Sequence, residues 1–270
     1  MHSKLTILYQ DPRAVVIAKP SGMPSTGPTP DAAGSVEHAL RAQLGRPVWA
    51  VHQLDQDTSG TNLFALRRSA VEPLAAALKS GRKTYVALCH GAPPRGSFEV
   101  DLPIGRWDEP GSPRSFPAVA PLSPDLRDPK PALTRFETLA VAADGRAGLV
   151  LCRPATGRTH QIRLHLAALG HPLVGERLHA PVLPPAAPRH LLHALSLELP
   201  CFSAVAPVPT DLQDAVARLA DPALLAALRA LPVVPPALGP GLGAGLGAGL
   251  GAGLGAGLGA GLGANLNRPG

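Results

Sequence analysis

The chain has 270 residues, a formal net charge of +6 and three cysteines. That length admits one large domain or two small ones with a buried core, and the positive balance suits a polyanionic partner, nucleic acid being the commonest. The cysteines are far apart and form no CxxC pair, which argues against a zinc ribbon and fits a reducing compartment. With polar or charged residues from Lys4 to Lys19 interrupting any secretory leader, this points to the cytoplasm.

Residues 5–9 favour a strand, Asp11-Pro12 marks a turn, and 14–18 form a second short strand. Lys19-Pro20-Ser21-Gly22-Met23-Pro24 must be a loop. Val36, Leu40 and Leu44 fall on one face of a helix over 35–44. An apolar strand over 48–51 runs into the polar loop 52–60, and a strand resumes over 61–66. A helix over 71–78 and a strand over 84–89 follow, with a turn at Gly91. Prolines crowd residues 105–131, which predicts an irregular surface excursion. Strands over 134–141 and 147–152 flank Asp144-Gly145, a hairpin signal.

Ile162, Leu166 and Leu169 predict a helix over 159–169, with Thr159 as its cap and Arg and His on the remaining surface. A strand over 190–199 ends at Pro200. Thr210 is placed as the cap of a helix reaching Leu219, and a further helical segment runs over 222–231. Gly-Leu-Gly-Ala then occurs six times between Gly241 and Ala264. Glycine at alternate positions makes ordering costly, so 239–270 is expected to be a flexible tail. A membrane helix with GxxxG spacing is the competing reading, weakened by leucine at only one position in four. The expected division is a catalytic domain over 1–205, a helical segment over 206–238 and the tail.

No Gly-Lys dipeptide occurs, so there is no P-loop; HExxH and GxSxG are also missing. His190 and His193 are the nearest approach to a metal pair, but odd separation on a strand sends them to opposite faces. No metal site is expected.

Three polar islands remain. In His52–Gly60, Asp55 and Asp57 could simply brace the loop through Asx turns. A catalytic Asp55 would need a cation to keep it ionised and an apolar surround. In Arg158–His165, Arg163 could bind phosphate at a helix start or pair with a carboxylate, or the whole stretch could be a solvated basic face. In Lys83–Leu88, Tyr85 shares a strand face with Lys83 and Ala87; it is either a core residue or a platform for a flipped base.

Taken together, His52-Gln53-Leu54-Asp55 with Thr58-Ser59-Gly60, Lys83-Thr84-Tyr85 and Gly157-Arg158-Thr159-His160-Gln161-Ile162-Arg163 resemble the RluA-like pseudouridine synthases. So do His171–Gly175, Arg189–Ala194, Lys19–Gly22 and Lys130–Ala132. The resemblance spans about residues 5–205. It implies an α+β fold: a mixed, mainly antiparallel sheet in two halves, flanking helices and an RNA cleft between them. It also implies isomerisation of uridine to pseudouridine in ribosomal or transfer RNA, with no cofactor and no metal.

By the same resemblance Asp55 is the nucleophile, Tyr85 stacks on the uracil and Arg163 holds the Asp55 carboxylate. His52, Gln53, Thr58, Arg158, His160, Gln161 and Leu192 are implied substrate contacts. RNA is the expected partner of a monomer that does not engage a membrane. One departure stands out: the family usually has Arg where this chain has Gln53, which removes a charge and a stacking plane. A catalytically impaired RNA-binding module is the alternative that this departure raises. An S4-like domain ahead of the catalytic fold is not expected, so target choice would fall to the cleft, the 105–131 excursion or a partner.

Overall fold

The computed structural model describes residues 4–232, apart from 30–31, 109–114, 121, 124 and 181–185. The tail predicted over 239–270 lies outside the described residues.

The chain opens with the hairpin β1 (Thr6–Gln10) and β2 (Ala14–Lys19). Asp11 makes its turn: Oδ1 accepts from the Arg13 and Ala14 amides, both at 2.6 Å. Helix α1 (Val36–Leu44) starts where the Ser35 hydroxyl accepts from the His38 amide and stops at left-handed Gly45, whose N–H returns to Arg41. Next come β3 (Trp49–Ala50), β4 (Ser59–Ala65), a 3-10 turn and α2 (Val71–Ser80). The chain continues through β5 (Arg82–His90), β6 (Gly96–Asp101), β7 (Ile104–Asp108), β8 (Ser115–Val119), β9 (Arg127–Lys130), β10 (Leu133–Val141) and β11 (Ala147–Pro154). Helix α3 (Gln161–Ala168) precedes β12 (Leu192–Leu199), β13 (Phe202–Val205), α4 (Thr210–Leu219) and α5 (Pro222–Arg229).

Ten strands form one sheet in the order β1-β2-β4-β12-β5-β11-β10-β6, with β3 beside β4 and β13 beside β12. Every pairing in it is antiparallel except β4 with β12, which touch in parallel only at His193–Ser59 and Ala194–Gly60. That short seam joins an N-terminal half to a C-terminal half.

Both faces are covered, which explains why β2 reads as an unbroken apolar run. Ala14 and Val16 join Leu63, Ala65, Leu74 and Leu78 under α2. Val15 and Ile17 turn the other way and meet Val36, Leu40 and Phe64 under α1. In the C-terminal half, Val86, Leu88 and Leu149 pack beneath Leu212, Val216 and Leu224 of α4 and α5. Ala87, Cys89, Val150 and Cys152 pack beneath Ile162 and Leu166 of α3. Each fully buried Leu or Ile in these layers contributes about 1.5–3 kcal/mol. Helices α1 and α3 therefore share one sheet face, and the cleft lies on that face.

The structure corrects four expectations. Residues 105–131 are not an irregular excursion: β7, β8 and β9 form a small sheet in the order β8-β7-β9. Its strand prolines, Pro117 and Pro129, sit on the two edge strands, where a missing N–H costs no ladder bond, while the central strand has none. Helix α3 starts at Gln161 rather than Thr159, preceded by His160 in the left-handed region and without a side-chain cap. Its polar residues are not on the surface; Gln161, Arg163 and His165 are buried. Leu164 packs on Ile104 and Val119 of the small sheet, so α3 is enclosed between two sheets. Finally, Thr210 is the first residue of α4 rather than its cap; Pro209 occupies that position.

Candidate active site

The loop between β3 and β4 carries Asp55, and its backbone is pinned on both sides of that residue. The Ser25 hydroxyl accepts from the Leu54 amide at 2.9 Å and lies 3.3 Å from the Leu54 carbonyl. Buried Lys19 donates to the carbonyls of Pro20, Met23 and Gln56 at 2.9, 2.5 and 2.7 Å. Burial lowers its ammonium to about 8. The Thr58 amide closes a turn onto the Asp55 carbonyl at 3.0 Å.

The Asp55 carboxylate bonds to Arg163 rather than bracing its own loop. Arg163 Nη1 donates to Oδ2 at 3.1 Å. The remaining edge of the guanidinium grips Glu176 in a fork, Nε to Oε2 at 2.8 Å and Nη2 to Oε1 at 2.9 Å. Glu176 also accepts from the amides of Leu178 and His179. Burial alone would raise the Glu176 carboxyl, but the hydrogen bonds and charge of Arg163 overcome it and hold that group well below the usual carboxylate range. Burial opposes the charge on Arg163 too, and Glu176 and Asp55 outweigh it. Arg163 is thus a permanent cation shared between two carboxylates.

His160 stands beside Asp55, with Nε2 3.8 Å from Oδ1. Its φ of 56° is unusual for a residue other than glycine. The ring is held through Nδ1, 2.9 Å from His179 Nε2. Burial lowers the His160 imidazole and pushes His179 to about 4, with Arg163 adding to both. Both rings are neutral near pH 7.

A second buried arginine closes the site from behind. Arg189 forks onto Asp211 at 2.6 and 3.0 Å and donates to the Asp57 carbonyl at 2.8 Å and the Ser59 hydroxyl at 3.2 Å. Gly175, at φ 81°, lets the chain pass it: a Cβ there would lie 2.0 Å from the Arg189 carbonyl oxygen. The resulting pocket of about 280 Å³ is lined by Asp55, Asp57, His160, Arg163, Arg177 and His190 among others.

The structure brings Asp55, Arg163 and Tyr85 together. Tyr85 packs with Ala87, Ile162 and Leu192, and burial, then the Asp55 charge, raises its hydroxyl strongly. Thr58 shares a 3.0 Å hydrogen bond with His190, and Leu192 is buried in the Tyr85 cluster. Gln53 is exposed. His52 anchors the loop, its carbonyl accepting from Asn62 Nδ2 at 3.1 Å. Arg158 and Gln161 serve the scaffold: Arg158 Nε donates to the Pro131 carbonyl, and the Gln161 amide binds Thr134, Leu133, Thr156 and the Arg158 amide.

Sequence reasoning overlooked Glu176 and His179 and the roles of Lys19, Arg189 and His190. Glu176 directly follows the His171–Gly175 stretch, an adjacency that does not by itself name its partner. His190 and His193 bind Thr58 and Ser59; among the described residues no group of His, Cys, Asp or Glu is placed to hold a metal.

Residues 13–168 match the family described as RNA pseudouridylate synthase. The dual-specificity RNA pseudouridine synthase RluA of Escherichia coli K12 is 39% identical over 200 residues, covering 72% of this chain and 86% of that protein. Its counterpart in Salmonella typhimurium is 37% identical over 217 residues, covering 77% and 94%. Among solved structures, human RNA Pseudouridylate Synthase Domain Containing 1 aligns with a TM-score of 0.61 and 27% identity over 81% of this chain and 96% of that one.

Proposed function

Because this chain belongs to the RNA pseudouridylate synthase family, and so isomerises uridine to pseudouridine in RNA, we propose that Asp55 is its nucleophile, Arg163 the cation that keeps Asp55 ionised, and Tyr85 the ring beneath the displaced uracil. The observation that carries this reading is the Asp55–Arg163 contact at 3.1 Å at the floor of the pocket. Arg163 occupies Oδ2, which leaves Oδ1 open to the substrate.

The reaction breaks the bond from N1 to C1′ of the ribose and forms one from C5 to C1′. C5 loses a proton and N1 gains one, so nothing is oxidised and no group is lost. Attack on the ribose carbon and addition to the uracil ring both require an ionised carboxylate with a free oxygen, and Asp55 supplies it. The base must first leave its stack, which costs a few kcal/mol in a duplex and less in a loop. Tyr85 offers a flat apolar surface in return, with Leu192 beside it. His160 flanks the carboxylate, Thr58 braces its loop through the Asp55 carbonyl and the His190 ring, and His52, Gln53, Arg158 and Gln161 shape the loops around it.

The substrate in this reading is structured ribosomal or transfer RNA, drawn to the net charge of +6. The protein acts as a cytoplasmic monomer away from membranes. Cys89, Cys152 and Cys201 are free thiols, the exposed large apolar side chains Ile7, Leu122, Leu169 and Leu178 lie on separate segments, and no described helix is long and apolar enough to cross a membrane. The catalytic domain in this reading is residues 1–205, and helices α4 and α5 follow it and pack on its sheet through Leu212, Val216 and Leu224.

The test is tritium release from RNA labelled at C5 of uracil, because the new carbon–carbon bond must expel that hydrogen. Wild type is expected to release tritium and Asp55→Ala to release none. Release at the wild-type rate by Asp55→Ala would overturn the assignment of the nucleophile.

A further inference from the structure

Each buried cation around the active site has its charge answered. Arg163 faces two carboxylates, Arg189 faces Asp211, and Lys19 faces three carbonyls. Lys83 is different. It lies on β5 two residues before Tyr85, roughly 7 Å away along the strand, beside a bulge in the pairing with β12. It is half-buried, yet among the described residues it has no hydrogen bond and no ion pair. Burial alone lowers its ammonium; no carboxylate lies close enough to raise it.

The surroundings do not supply an anion. His52, from the N-terminal half of the sheet, is close enough to feel the charge of Lys83. Its Nδ1 is enclosed without a partner, and burial, followed by the charge of Lys83, pushes the imidazole to about 4. His52 is therefore neutral. Asn62, which holds the His52 carbonyl through Nδ2, leaves its own Oδ1 without a partner. The exposed side chain of Gln53 follows His52. Among the described residues Lys83 is thus a partly desolvated cation near a neutral imidazole, with no carboxylate paired to it. Such an ammonium costs stability in the free protein and gains its partner only when an anion arrives.

We propose that Lys83 is the binding site for a backbone phosphate of the RNA strand immediately flanking the displaced uridine. This rests on Asp55 and Tyr85 marking where that uridine sits. A phosphodiester is the anion that an RNA substrate carries at the next position along its chain, and Lys83 lies about that far beyond the ring on which the base would rest. The contact reads position rather than base identity.

The experiment compares wild type, Lys83→Met and Lys83→Arg on C5-tritiated ribosomal and transfer RNA transcripts. It measures KM, kcat, the salt dependence of RNA binding and the thermal midpoint of the RNA-free protein. Lys83→Met is expected to melt no lower than wild type, because an uncompensated buried charge has been removed. Its KM should rise about tenfold with kcat within twofold, and its slope of log affinity against log salt should be shallower by about 1. Lys83→Arg should regain most of the affinity. An unchanged KM and salt slope in Lys83→Met would overturn the proposal. So would a lower melting point, which would make Lys83 structural, or a fall in kcat alone, which would place it in the chemistry. Failure of wild type to release tritium would instead strike the reading of the Asp55 site, because the salt slopes are measured by binding alone.

Discussion

Glu176→Gln tests the link between the two carboxylates that share Arg163. The Glu176 side chain is 1% exposed and that of Arg163 8%. Removing one partner of such a buried pair costs about 3–5 kcal/mol. Glutamine keeps an oxygen for the Leu178 and His179 amides, and Arg163 keeps Asp55, so the lower end applies, about 3 kcal/mol. For a domain of this size that is a fall of roughly 6–12 °C in the thermal midpoint. The sign of the pH dependence is fixed by the depressed Glu176 carboxyl. Its contribution is complete above the ordinary unfolded value and is lost only as pH falls below it, so the gap between wild type and variant should be flat from pH 6 to 9. Freed from Glu176, Arg163 should turn both Nη groups toward Asp55 and occupy the oxygen the substrate needs. Single-turnover tritium release should then slow about tenfold or more while RNA affinity holds. Urea denaturation across that pH range, together with the rate, decides the matter. A gap below about 1 kcal/mol, or an unchanged rate, would show that Glu176 neither stabilises nor orients Arg163.

Arg163→Met should reduce turnover by about 10²–10³, the scale for losing one charge-stabilising donor, and reduce RNA affinity only a few-fold; equal losses measured by single-turnover kinetics and binding would make Arg163 a phosphate contact instead. His52, His179, His190 and His193 are each pushed to about 4, burial being the first cause in all four. They are neutral in the fold and protonate on unfolding, so the unfolded state binds more protons between the ordinary histidine value and 4, and stability is lost as pH falls through that window. With each proton worth about 1.4 kcal/mol per pH unit, urea midpoints should drop steeply from pH 6 to 5, with an uptake of roughly four protons on unfolding; an uptake below about two would contradict the buried neutral assignments.

The elements legible in the sequence were those whose pattern is local. The hairpin over β10 and β11 followed from two apolar runs around Asp144-Gly145, and α1 from Val36, Leu40 and Leu44. Strand β6 escaped notice because Gly96–Asp101 is mostly exposed and buries only Val100. The small sheet was hidden by its prolines, which count against a strand only if it is central. Helix α3 misled through polarity: Arg163 and His165 look like surface residues until both sheets close over them. The site was harder. Asp55 and Arg163 are 108 residues apart, and no periodicity links them; only the wording of the flanking motifs did. Glu176 had no such help, since a buried arginine can find its second carboxylate anywhere the fold permits.

The parallel seam explains why the site lies where it does. Antiparallel neighbours run in opposite senses, so their leading ends lie at opposite edges of a sheet, whereas β4 and β12 begin side by side. The segments that lead into them, Asp55–Thr58 and Arg189–Leu191, therefore emerge at the same edge and on either side of the junction between halves. Gly60, at φ 114°, permits the approach, since a Cβ there would lie 2.1 Å from the Ala194 carbonyl oxygen. With only two rungs of pairing, the seam is weak as a ladder, and side chains reinforce it: Thr58 with His190, Ser59 with His193, and Arg189 with the Asp57 carbonyl. These bonds join the loop that carries Asp55 to the half that carries Arg163. The same contacts that hold the halves together thus set the distance between carboxylate and guanidinium, and any change that opens the seam separates that pair before it unfolds either half.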